Sequence, residues 1–233
     1  IIQSGRQLFY FTNNTSKSRQ TYLKKIADIG FPIEDKNFIT SADCADSYLK
    51  RNNLFPKIYL VGNEDLKTEF EHRDYQCLSP EEARQDLPSA VVLGFDTELT
   101  YEKIHTCYDL ILEKVPYIAT HADLLCPVTK TTFKPDVGSF ISMFETATGG
   151  ATPKVVGKPH KDAVLAISER ANLPAEKIAF IGDRLYTDIR MAMNYDMVGV
   201  LVLSGETTKE MAEESTDKAK ITVDSIKDLI PHL

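Results

Sequence analysis

Apolar residues follow two rhythms along this chain: short unbroken runs, and stretches in which every third or fourth position is apolar. The first rhythm predicts strands covered on both faces, and the second predicts helices with one buried face. The run L-F-Y-F predicts a strand over 8–11, and Tyr22, Leu23, Ile26 and Ile29 predict a helix that Gly30 and Pro32 stop. A second strand over 38–40 and a helix capped by Ser41, running through Ala45, Tyr48 and Leu49, repeat the unit. After Asn53 a separate series begins, with strands over 57–61, 91–93 and 117–120 alternating with helices over 64–71, 101–115 and 137–147. A stretch rich in Gly, Thr and Pro (T-G-G-A-T-P) closes that series, and strands follow over 178–181, 198–202 and 221–223. Strand-helix alternation of this kind predicts a doubly wound α/β fold. The break in the series predicts a core made of residues 1–53 and 152–233, with 54–151 inserted as an α/β domain of its own.

Composition narrows the partners. The 233 residues are 42% hydrophobic, enough to fill a core. With 34 acids against 27 bases the net charge is −7, and no dense Lys/Arg cluster is present, which argues against nucleic acid or an anionic membrane as partner. Cys44, Cys77, Cys107 and Cys126 lie far apart with no C-x-x-C pair, so neither zinc nor a disulfide framework is expected. No apolar run approaches the length that spans a bilayer, and the first residues, starting at Ile1, lack the pattern of a signal peptide. A cytoplasmic protein acting on a small molecule is the expectation.

Three clusters then fall at predicted strand ends within the split core. Thr12, Asn13 and Asn14 end the first strand just before a helix, offering a hydroxyl, amides and backbone N–H groups that suit a phosphate. Lys158, between Gly157 and Pro159, enters another helix. In I-G-D-R-L-Y-T-D-I, Asp183 and Asp188 supply the hard oxygens that Mg²⁺ prefers. Singly, each has an ordinary explanation: a helix cap, a solvated loop lysine, a capping acid with a first-turn acid. Together they suit phosphoryl transfer, because a phosphate ester repels an anionic nucleophile until cations and fixed donors neutralise its oxygens.

The succession T-N-N, G-K-P and G-D-R-L-x-T-D-I resembles the haloacid dehalogenase superfamily, and specifically its NagD-like p-nitrophenylphosphatase branch with a type II cap. F-I-T-S-A, Y-I-A-T-H-A-D and K-P-D-V-G-S-F resemble the same branch, so the similarity covers essentially the whole chain. The resemblance implies a Rossmann-like core with an α/β cap inserted between the second and third motifs. It implies Mg²⁺-dependent hydrolysis of phosphomonoesters of small metabolites through an aspartyl-phosphate, and a homodimer built through the cap. Carried over by residue, Thr12 with Asn13 and Asn14 binds phosphate, and Lys158 binds phosphate as the motif III lysine. Asp183 is the metal ligand, and Asp188 is the second acid beside it, orienting metal-bound water or the lysine. His121 and Asp123 are expected to reach over the site from the cap, while His160 and Tyr186 receive no catalytic role.

One part of the pattern is missing. The family's nucleophile lies in a D-x-D motif on the central strand, about thirty residues before T-N-N, and residues 1–11 contain none. The acids near Asp96, in L-G-F-D-T-E, fall inside the predicted cap and are rejected as the nucleophile. The motif is therefore expected upstream of Ile1, on a further strand whose place the structure should show as a gap. The alternatives are a regulatory protein that keeps the phosphate and metal site without the nucleophile, and an unrelated nucleotide-binding domain. The absence of a P-loop or G-x-G-x-x-G after any strand weighs against the latter.

Overall fold

The computed structural model describes residues 2–129 and 131–232. The chain divides into two compact units, one made of Ile1–Tyr10 with Lys158–Leu233, the other of Phe11–Gly157.

The larger unit is built on a parallel five-stranded sheet of order β4-β3-β5-β6-β9, from β3 (Lys57–Val61), β4 (Gln76–Cys77), β5 (Ala90–Leu93), β6 (Tyr117–Ala119) and β9 (Lys154–Val155). Before it come β1 (Tyr10–Thr12), α1 (Arg19–Asp28), β2 (Phe38–Thr40) and α2 (Ser41–Arg51), with β1 and β2 forming a two-stranded sheet. The remaining helices are α3 (Glu64–Glu71), α4 (Pro80–Gln85), α5 (Tyr101–Leu112) and α6 (Val137–Thr148), and β7 (Leu125–Pro127) pairs antiparallel with β8 (Phe133–Pro135). Ala90 to Leu93 are all fully buried, the signature of a strand packed on both faces. Tyr59, Phe95, Leu110 and Phe144 complete that core.

The smaller unit contains α7 (Lys161–Ala171), β10 (Ala179–Gly182), a π-helical turn over Leu185–Ile189, α8 (Arg190–Asn194), β11 (Val198–Val202), α9 (Lys209–Glu214) and β12 (Ile221–Val223). Its sheet is parallel, of order β10-β11-β12. No helix among the described residues is long and apolar enough to cross a membrane.

Every strand the sequence predicts is present, with ends shifted by at most a residue or two. The departures have local causes. The α2 cap is Thr40, whose hydroxyl accepts the Asp43 N–H while Asp43 accepts the Thr40 N–H; Ser41 instead donates its hydroxyl to the Asn13 carbonyl at 2.6 Å. Helix α5 stops at Leu112 because Lys114 adopts a left-handed φ of 64° and the Val115 N–H turns back to the Leu110 carbonyl. The apolar stripe expected on α1 is only half-buried, with Ile29 65% exposed. The β7–β8 hairpin and the β4–α4 segment were not predictable, since these strands are two or three residues long and β7 and β8 each contain a proline.

The observed units divide at 10/11 and 157/158, whereas the sequence divides at 53/54 and 151/152. Two features account for the difference. Strand β9 pairs with β6, carrying the five-stranded sheet beyond residue 151. A buried ion network also ties α1, α2 and α3 together: the Arg19 guanidinium reaches Asp43 at 3.1 Å, and Arg73 reaches Asp43 at 3.0 Å and Glu69 at 2.9 Å. The Arg19 N–H donates to the Glu69 carboxylate at 3.0 Å. Removing one member would strand a buried charge, at a cost of about 3–5 kcal/mol.

Candidate active site

The smaller unit carries the acids and the lysine. Strand β10 ends at Gly182, and the backbone turns there into the π-helical turn that presents Asp188. A Cβ at Gly182 would fall inside the Asp188 carboxylate, so the acid lies directly on the glycine backbone. Asp188 is fully engaged: Oδ1 accepts from Lys158 Nζ at 2.7 Å, and Oδ2 accepts the Arg184 N–H at 3.2 Å. Lys158 is 12% exposed and Asp188 5%, which makes this a desolvated, fixed ion pair. The Phe180 ring lies 5.3 Å from the ammonium and supports it from its face.

Asp183 is half-buried at the same strand end. Its Oδ2 accepts the Glu206 N–H at 2.9 Å, and its backbone carbonyl accepts the Thr207 N–H and hydroxyl at 3.2 and 2.5 Å. Oδ1 of Asp183 has no hydrogen bond among the described residues, so it is the carboxylate oxygen left for another ligand. No group of three or more His, Cys, Asp or Glu side chains suited to a metal occurs among the described residues. Mg²⁺ needs fewer, since it binds through one or two carboxylates with water and substrate phosphate. The donor set therefore fits a cation held through Asp183, while each Asp188 oxygen already accepts one hydrogen bond.

The larger unit carries the polar turn. The Thr12 hydroxyl accepts the Asn14 N–H at 3.2 Å and retains its own proton to donate. Asn13 is 5% exposed and donates Nδ2 to Asp123 at 3.2 Å. Asn14 is turned inward, its Oδ1 accepting the Ser16 N–H and hydroxyl at 2.8 and 2.7 Å, so its carbonyl organises the loop. Gly157 packs against Asn13 Oδ1 and the Thr120 carbonyl, at distances no side chain would permit, and Lys158 follows it in the chain.

His121 and Asp123 occupy different settings from those expected of substrate-facing groups. His121 is completely buried, with Nε2 3.0 Å from Asp136 Oδ1 and Nδ1 3.0 Å from the Thr120 hydroxyl. The carboxylate has no proton to give, so Nε2 carries the hydrogen, and the ring is a strut between β6 and the start of α6. Asp123 is half-buried and holds Asn13. Gly205, Glu206 and Thr207 were not found by sequence reasoning, because their only signal is proximity to Asp183 across more than twenty residues of chain.

The folds of the two units define a doubly wound, Rossmann-like α/β protein with an inserted α/β cap. Residues 1–76 match the haloacid dehalogenase-like hydrolase family and 155–229 match a HAD-hydrolase-like family. The chain is 30% identical to glycerol-3-phosphate phosphatase of Gallus gallus, over 100% of this chain and 83% of that protein. A solved 4-nitrophenylphosphatase of Thermotoga maritima superposes with a TM-score of 0.90 at 33% identity, over 99% of this chain and 85% of that one. The chain therefore belongs to the haloacid dehalogenase-like hydrolase family, on its NagD-like, 4-nitrophenylphosphatase branch. Phosphoglycolate phosphatase 1A of Arabidopsis thaliana, also 30% identical, is matched over 92% of this chain and only 64% of its own length.

Proposed function

We propose that this protein hydrolyses phosphomonoesters of small metabolites with the help of Mg²⁺, through an aspartyl-phosphate. The observation that carries the reading is the desolvated Lys158–Asp188 pair beside Asp183, at the carboxyl end of a parallel strand, where open α/β sheets bind ligands. The names of the relatives support it, each being a phosphatase of a small phosphate ester.

In this reading Asp183 holds the cation, which when bound supplies charge neutralisation at the phosphate. Lys158 neutralises a second phosphate oxygen, and Asp188 fixes the lysine in place. The Thr12 hydroxyl donates to a further oxygen, with Asn13 and Asn14 shaping the turn. Such preorganised donors are each worth about 3 kcal/mol, or roughly a hundredfold in rate. Asp123 acts by holding Asn13, and His121 by holding the cap loop. In this reading residues 1–53 and 152–233 are the catalytic core and 54–151 the cap.

The 233 residues contain no D-x-D motif, and the nucleophile of this mechanism is not identified among them. Strand β10 is the edge of its sheet among the described residues, with Ala179 exposed and Phe180 half-buried, an unusual setting for an apolar parallel strand. A small anionic metabolite in the cytoplasm is the proposed substrate class, with neither nucleic acid nor membrane as partner.

The test is hydrolysis of p-nitrophenyl phosphate by the intact protein with Mg²⁺ and with EDTA. Turnover should require the metal and should vanish in Asp183→Asn. Metal-independent turnover, or full activity in that variant, overturns the reading. Metal binding without any turnover favours the regulatory alternative.

A further inference from the structure

We infer that the loop Gly205–Thr207 is a clasp that sets the orientation of Asp183, and that the Arg184–Glu206 ion pair holds the clasp shut. The inference rests on the reading of Asp183 as the metal ligand. Three contacts converge on that one acid. The Glu206 N–H donates to Oδ2 at 2.9 Å, Thr207 binds the Asp183 carbonyl through both its N–H and its hydroxyl, and Gly205 lies so close that a Cβ there would collide with the carboxylate. Thr207 is buried, at 2% exposed, while Glu206 is exposed, so the loop is anchored at one end and tethered by a side chain at the other.

The tether is the Glu206 carboxylate. Oε2 meets Arg184 Nε at 2.7 Å, and Oε1 accepts the Tyr186 hydroxyl at 3.0 Å, with the Arg184 guanidinium 6.0 Å from the Tyr186 ring centre. Arg184 also donates its backbone N–H to Asp188, the partner of Lys158. One residue therefore joins the lysine side of the site to the loop over Asp183. The side chains of Arg184 and Glu206 are 21% and 39% exposed, and pairs as open as this add little to stability. Their effect is expected on the ligand geometry of Asp183 instead, since groups that orient a metal ligand typically change affinity by 10–100-fold.

The experiment measures Mn²⁺ binding to the intact protein by the loss of the free-ion electron paramagnetic resonance signal, with no substrate present. Glu206→Ala and Arg184→Ala should each weaken binding by roughly tenfold, and the double variant no further than the weaker single one, because both cut the same tether. Gly205→Ala should weaken it more, by displacing the carboxylate itself. Glu206→Gln, which keeps a partner for Tyr186 but not the charge, should fall between wild type and Glu206→Ala. At saturating Mn²⁺ the KM for p-nitrophenyl phosphate should stay constant across the tether variants. Unchanged Mn²⁺ affinity in Glu206→Ala and Gly205→Ala, with binding lost in Asp183→Asn, overturns the clasp. Undiminished binding in Asp183→Asn overturns the metal reading instead.

Discussion

Val91, Val92 and Leu93, in the middle of the five-stranded sheet, are completely buried, whereas Ala179 is exposed and Phe180 half-buried in an equally apolar strand of the three-stranded sheet. Position in the ladder explains the contrast. Strand β5 is paired on both sides, by β3 and β6, while among the described residues β10 pairs with β11 alone. Helix starts differ in the same direction. Among the described residues, all six α-helices of the larger unit begin with a side-chain cap, from Ser18, Thr40, Asn63, Ser79, Thr100 and Asp136. In the smaller unit α9 has one, from Thr208, while α7 does not and α8 continues from the preceding π-helical turn. The larger unit satisfies its own backbone locally and buries its own strands. The unit with the lysine and acids has an edge strand in β10 among its described residues, and its lysine and strand-end acids lie at the candidate site.

That comparison can be broken most sharply by core truncation. Leu93→Ala should cost about 2–5 kcal/mol in urea denaturation, the range for a fully buried leucine. Phe180→Ala should cost only about 1 kcal/mol in the 233-residue chain, because its ring is half-solvated. Equal costs for both residues in the 233-residue chain would refute the contrast.

A smaller effect probes the caps. Glu82 closes the capping box of α4 by accepting the Ser79 N–H at 2.8 Å, and this backbone hydrogen bond, with the Ser79 side chain, holds its carboxyl below the usual value. A lowered folded value means that the contribution is present above the ordinary glutamate pKa of about 4.3 and is lost as pH falls through the lower folded value. Glu82→Gln should therefore lower the thermal midpoint slightly at pH 6, with the two proteins converging as pH falls below the folded Glu82 value. A gap that persists or widens in acid would rule out the carboxylate as its source.

Much of the fold was legible because strand and helix periodicities are local properties. Residues 58–61 and 198–202 are unbroken runs without a charged or polar side chain other than Tyr59, and nothing distant alters their reading. The division into units was less legible because it depends on charges that look solvent-facing in the sequence. Arg19, Asp43, Glu69 and Arg73 are ordinary helix charges until folding buries them against one another. At the candidate site, the motif residues could be named from their order, but their partners could not. T-H-A-D gives no sign that His121 will be sealed between Thr120 and Asp136, nor does S-G-E-T-T show that Gly205 must make room for Asp183.

The account turns on Lys158 as a fixed cation for phosphate. Lys158→Gln retains a donor for Asp188 and removes the charge, so the fold should survive by circular dichroism with a lowered thermal midpoint, because Asp188 stays buried without its counter-ion. Turnover of p-nitrophenyl phosphate at saturating Mg²⁺ should fall by about a hundredfold or more, the loss expected of a preorganised electrostatic contact. Wild-type turnover in the folded variant would contradict the assignment.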